Sequence, residues 1–254
     1  MKKVFLWAAL SAVCLLSGCS KTERADIGLY EPLTDSQIEH YYQAVLTDKN
    51  TSDSESLPAE AEPEAEEKSD RIVLVGDSRT TNLGYYVYGM TIVDDYYVDD
   101  VTPDGDCIFA AGGEGYDWLL EHMPEIEDKL TEGCALVVNM GVNGVPDYHY
   151  EIAEWCNKMA EKYKDKGVKV YFMSVNPVND RLMSYYDYTI RNVDVIFFNS
   201  AIRTELTGVT YLDTYSVVRD DILGEDSKSF DGLHYYDDVY FKIRDYTWKT
   251  IKTE

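Results

Sequence analysis

From residue 71 onward, short apolar runs alternate with longer amphipathic stretches. The runs are "RIVLVG", "DCIFAAGG" over 106–113, "CALVVNMG" over 134–141, "VKVYFMSV" over 168–175 and the shorter "VTYLDT" over 209–214. Each is near-continuously apolar, as strands buried on both faces require. Between them lie helix candidates: "YDWLLEHMPEIEDKL", "YHYEIAEWCNKMAEKYKDKG" and "YTIRNVDVIFFNSAIRTELTG". A last one, "DVYFKIRDYTWKTIK", closes the chain. In the second, Ile152, Trp155, Cys156 and Met159 share a face and Gly167 supplies a C-cap. Strand-helix alternation predicts a parallel sheet of about five strands with helices on both faces, a three-layer α/β/α domain over 71–254.

The residues before it read differently. "MKK" followed by "VFLWAALSAVCLL" has the basic start and short apolar core of a signal peptide, expected over 1–18. "LSGC" then resembles a bacterial lipobox, with cleavage before Cys19 and lipidation of Cys19. The competing reading is an ordinary secretory signal. Residues 34–46, "TDSQIEHYYQAVL", carry helical apolar spacing and predict a short helix. Residues 47–70 are acidic, polar and broken by prolines, and cannot bury enough apolar surface to offset ordering entropy. The expectation for 19–70 is a tether that holds an extracytoplasmic domain away from a membrane. The net charge of −24 lacks the basic footprint that phosphate backbones demand, so nucleic acid is excluded as a partner.

In sheets of this class the ligand site lies beyond the carboxyl ends of the strands. The residues there are Gly76-Asp77-Ser78, then Gly112 to Gly115, then Gly141-Val142-Asn143, then Asn176 to Asp180. Asp231-Gly232-Leu233-His234 precedes the last helix. Ser78 offers a hydroxyl nucleophile at a strand-to-helix turn, or simply a helix cap. His234 can serve as the general base, as histidine side chains do, and Asp231 can fix its tautomer. A backbone N–H at a helix start, a glycine N–H and the Asn143 amide can together face an oxyanion.

Taken in order, Gly76-Asp77-Ser78, a glycine after the second strand, Gly141-x-Asn143 and Asp231-x-x-His234 resemble the four sequence blocks of the SGNH (GDSL-type) hydrolases. The resemblance covers residue 71 to the C-terminus. It implies a flavodoxin-like fold without metal or other cofactor. It also implies a Ser78, His234 and Asp231 triad that cleaves carboxylic esters through an acyl-enzyme. The implied oxyanion donors are the Ser78 N–H, the Gly115 N–H (Gly113 in reserve) and the Asn143 side chain. Family substrates are often acetyl groups on carbohydrates or acyl chains on lipids. The third block departs from the family's Gly-x-Asn-Asp, with Gly144 in place of the aspartate; a local contact is expected to be lost, not the donor. Acyl transfer by the same triad and a non-catalytic binding module are the alternatives.

Arg79 can bind an anionic substrate group or pair with a carboxylate. Asn176 and Asn179 can bind sugar hydroxyls or form an Asx-type turn around Pro177. The 22 tyrosines suit core and rim packing, and also stacking on sugars. Cys107, Cys134 and Cys156 lack metal-like spacing and read as buried free thiols, with one disulfide open in an exported protein. His40, His122 and His149 read as solvated; Asp147 beside His149 makes no zinc site without a third ligand.

Overall fold

A computed structural model describes residues 71–93, 96–186 and 188–253. The expected signal peptide, Cys19, the 34–46 helix and the tether lie outside the described residues.

The sheet has six strands in the order β2-β3-β1-β4-β5-β6. They are β1 (Ile72–Gly76), β2 (Tyr97–Val101), β3 (Cys107–Ala111), β4 (Ala135–Asn139), β5 (Lys169–Met173) and β6 (Val209–Leu212). All neighbours run parallel except β2, which pairs antiparallel with β3 along one edge. The five predicted runs are β1, β3, β4, β5 and β6. β2 adds a sixth strand that sequence reading does not find. Its segment "YVDDV" is acidic and mostly exposed, as an edge strand tolerates, so it lacks the continuous apolar signature of its neighbours.

The described helices are α1 (Ser78–Tyr88), α2 (Tyr116–Glu121), α3 (Met123–Lys129), α4 (His149–Tyr163), α5 (Asp180–Met183), α6 (Asn192–Glu205), α7 (Thr214–Leu223) and α8 (Asp237–Thr253). On one face, Leu74, Ile108 and Val137 meet Leu83 of α1, Val218 and Ile222 of α7, and Val239, Tyr240 and Ile243 of α8. Strand side chains alternate between faces. Phe109, next to Ile108, therefore points to the other layer and stacks on Trp118 of α2, with ring centroids 5.1 Å apart.

The stretch read as one helix from Tyr116 is two. Pro124 sits in the first turn of α3, where its missing N–H costs nothing. Further along one continuous helix the same ring would clash with the preceding turn, so the chain restarts after His122. Helix α7 carries no strong sequence signal because Thr214, Val217 and Val218 are β-branched. Asp213 starts it by accepting from the Ser216 N–H at 3.2 Å, and Tyr215, Val218 and Ile222 bury one face.

From β1 the chain passes to one side, through β3, and then to the other, through β4. The switch point therefore lies at the carboxyl end of β1, where this class of sheet opens a crevice. Gly76 and Ser78 lie there.

Candidate active site

The turn after β1 is tight. A Cβ on Gly76 would lie 2.0 Å from Thr80 Oγ1 and 2.5 Å from the Asn139 carbonyl oxygen, so only glycine fits. Asp77 caps α1, its Oδ1 accepting from the Arg79 N–H at 3.1 Å. Burial pushes the Asp77 carboxyl above the usual carboxylate range, and the Arg79 charge and the N–H groups of Arg79 and Val142 partly oppose that. The short 3₁₀ turn Val142–Gly144 carries Asn143. Ser78 is the first residue of α1 and is 6 % exposed. Its N–H is among the first-turn donors that lack an intrahelical acceptor.

The loop between α7 and α8 carries His234. His234 Nε2 lies 2.9 Å from Ser78 Oγ, and Nδ1 lies 2.7 Å from Asp231 Oδ2. Asp231 Oδ1 accepts from the N–H groups of Leu233 at 2.8 Å and His234 at 2.7 Å. Burial alone would raise the Asp231 carboxyl, but the hydrogen bonds from the His234 ring and backbone outweigh it and hold the carboxyl below its ordinary value. An ionised Asp231 has only acceptors, so Nδ1 carries the proton and Nε2 is left to accept from the serine hydroxyl.

The loop is fastened from within and from outside. Ser229 Oγ donates to the His234 carbonyl at 2.6 Å and accepts from the Gly232 N–H at 2.8 Å. Gly232 has φ 92°, and a Cβ there would lie 2.6 Å from the Met183 nitrogen. Its carbonyl accepts from the Asn179 N–H at 2.8 Å.

Asn143 is exposed, and its Nδ2 donates to the Glu114 carbonyl at 2.7 Å. That bond joins the third block to the second, next to Gly115. The amide's other N–H remains for a ligand. Gly115 is the N-cap of α2, with extended backbone. Gly113, the reserve, has φ 78° and is exposed.

The three outer candidates behave differently from the substrate-binding expectation. Arg79 is 2 % exposed; its Nη1 donates to the Asn176 carbonyl at 2.8 Å and its Nε to the Leu233 carbonyl at 3.2 Å. Asn179 is buried, caps α5 by accepting from the Leu182 N–H and donates to the Ile222 carbonyl. Asn176 is buried as well, its amide atoms without a partner among the described residues. All three sit inside the walls of the site rather than on its surface.

No protein-family profile and no curated protein matches the sequence. Solved structures do. A GDSL-like lipase from Bacteroides thetaiotaomicron superposes with TM-score 0.51 at 17 % identity, over 84 % of this chain and 97 % of that one. A protein of Bacteroides fragilis assigned as an acylhydrolase gives 0.53 at 15 %, over 87 % and 99 %. A protein of Slackia heliotrinireducens assigned as an SGNH hydrolase gives 0.51 at 15 %, over 72 % and 99 %. The fold is that of the SGNH hydrolases.

Within the SGNH fold, the departure at Gly144 has a local explanation. A Cβ there would lie 3.3 Å from the Tyr148 ring, which fills the space a larger side chain would take. Phe230 is a feature that sequence reading misses. It stacks on the His234 imidazole at 5.9 Å and 17° and is 40 % exposed. Nothing in a single sequence marks it, because the stack depends on how the loop folds back. Elsewhere, His122 is half-buried against Trp118, with rings 4.6 Å apart, and His149 is half-buried against Phe198. Neither is the solvated side chain expected. Cys107, Cys134 and Cys156 are free and buried, and burial pushes all three thiols up.

Proposed function

We propose that this chain is a carboxylic ester hydrolase that works through an acyl-enzyme on Ser78. The observation that carries the reading is the continuous hydrogen-bonded chain from Ser78 Oγ through His234 to Asp231 at the carboxyl end of β1. Ser78 Oγ attacks the ester carbonyl while His234 Nε2 takes its proton. Asp231 stays ionised, holds the imidazole and stabilises the imidazolium. The tetrahedral oxyanion takes hydrogen bonds from the N–H groups of Ser78 and Gly115 and from Asn143 Nδ2. Collapse breaks the bond to the alcohol, which leaves with the proton from His234. Water, deprotonated by the same histidine, then releases the acid and restores the serine.

The substrate class we favour is an O-acylated glycan, with a short acyl group such as acetyl. Exposed Tyr186, Tyr188 and Phe230 support it. Tyr186 and Tyr188 lie 6.3 Å apart, and the Tyr186 hydroxyl donates to the Phe230 carbonyl at 3.4 Å. Aromatic rings with polar tips suit the apolar face and hydroxyls of a sugar. The Leu16-to-Cys19 pattern and the acidic stretch after it support a lipid-anchored, extracytoplasmic setting.

The test is hydrolysis of p-nitrophenyl acetate by the full chain and by Ser78→Ala. A rate that depends on the serine supports the reading. Equal rates, together with no labelling by a fluorophosphonate, would sink it.

A further inference from the structure

We infer that Arg79 is the positioning residue that holds the His234 loop against Ser78, an inference that rests on the esterase reading for its kinetic part only. Arg79 follows the nucleophile directly, so its side chain leaves the same first turn of α1. It turns inward, away from solvent. Its Nε reaches the carbonyl of Leu233, the residue before His234, at 3.2 Å. Its guanidinium carbon lies 5.3 Å from the ring centre of Tyr235, the residue after His234. Both flanks of the base are therefore gripped from the helix that presents the nucleophile.

A second grip runs through the segment after β5. Arg79 Nη1 donates to the Asn176 carbonyl at 2.8 Å, and the Tyr235 hydroxyl donates to the Pro177 carbonyl at 2.6 Å. One guanidinium thus spans three separate parts of the chain: α1, the loop at 176–179 and the loop at 229–235. A fork of donors in one plane does this and a lysine does not, because a single ammonium lacks the fixed spacing.

As core filling, Arg79 is a poor choice. It buries a charge, and its Nη2 has no partner among the described residues. Burying a charge that is incompletely bonded is costly, and apolar side chains of similar size often serve a core as well or better. A local rule broken beside reactive groups is expected where the site itself requires it. Here the requirement is geometric. The distance from Nε2 to Ser78 Oγ depends on where the His234 backbone sits, and Arg79 bonds the carbonyl just before it.

The experiment compares the full-length protein with Arg79→Met and Arg79→Lys. Three quantities are read: backbone hydrogen exchange by mass spectrometry, the rate of fluorophosphonate labelling, and kcat and KM on p-nitrophenyl acetate. In Arg79→Met, exchange over 229–235 is expected to rise about tenfold or more, while α4 keeps its protection. Labelling and kcat are expected to fall together by about tenfold to a hundredfold with KM changed less than about twofold, as misplacement of a base produces. Arg79→Lys is expected to fall between the two. A folded Arg79→Met with parent-like exchange over 229–235 overturns the inference. So does a loss confined to KM, with kcat and labelling unchanged, which would make Arg79 a substrate ligand. If Arg79→Met does not fold, Arg79→Lys carries the same comparison. If the parent itself neither labels nor turns over, the esterase reading fails, and the exchange data still decide whether Arg79 holds the loop.

Discussion

The two ends of the sheet hold opposite things. At the amino ends of β5 and β6 lies a cavity of about 700 Å³, lined by residues such as Asn157, Glu161, Lys164, Tyr171 and Thr210. At the carboxyl end of β1 lies the Ser78, His234 and Asp231 chain. The roomy end does not gather its polar groups on a common point. Asn157 bonds the Glu205 carbonyl and the Thr207 N–H, and Lys164 bonds Glu161. The other end joins a hydroxyl, an imidazole and a carboxylate in one hydrogen-bonded chain. A large cavity is the ordinary first guess for a binding site. Here convergence of chemistry points elsewhere, and convergence is the better guide, because a void supplies room but no gradient of charge.

The comparison can be broken most directly by removing the proposed nucleophile and base. Ser78→Ala and His234→Ala are each expected to lower kcat on a small acetyl ester by about a thousandfold or more. Thr210→Trp, which crowds the other cavity, is expected to leave kcat unchanged. A Thr210→Trp loss comparable with that of Ser78→Ala would move the chemistry to the wrong end of the sheet.

Next in size is Asp231→Asn, expected to cost about a hundredfold to ten-thousandfold in kcat through loss of the correct tautomer. It has a pH signature too. The folded Asp231 carboxyl is held below its ordinary value, so it contributes stability above the unfolded pKa and loses it as pH falls through the folded one. The gap in melting temperature between parent and Asp231→Asn is therefore expected to narrow in acid. A gap that widened below the normal carboxylate range would contradict the assigned bonding.

Asn143→Ala is expected to lower kcat about a hundredfold to a thousandfold with little change in KM, the mark of a donor used mainly in the transition state. A KM-only effect would reassign it to ground-state binding. Gly232→Ala sharpens the structural side of the same end. It places a Cβ 2.6 Å from the Met183 nitrogen at a positive φ, and is expected to destabilise by about 1–3 kcal/mol in urea titration. The smallest effect belongs to the roomy end. Glu161→Gln breaks an ion pair whose side chains are largely exposed, and the melting temperature is expected to stay where it is.

Much of this was legible beforehand because the informative signals are local. A continuous apolar run needs no partner to be recognised as a strand buried on both faces, and five such runs match β1, β3, β4, β5 and β6. Gly76, Ser78, Asn143, Asp231 and His234 stand just after or between those elements, so the topology alone directs them toward one edge. β2 and α7 escaped because an acidic edge strand and a β-branched helix lack those local patterns.

By itself, then, the sequence determined the layered α/β fold and the order in which polar residues arrive at the sheet's carboxyl end. Periodicity and turn residues act over a few positions and survive in any context. What those residues face depends on how distant segments pack around them. The first turn of α1 sends Ser78 toward His234 and Arg79 inward to the Leu233 and Asn176 carbonyls. Asn179 is committed to capping α5 and to the Ile222 carbonyl. The direction of a side chain depends on which backbone carbonyls lie nearby. Those carbonyls belong to segments about a hundred residues or more away from Arg79, at separations of 97 and 154 positions, which no local pattern encodes.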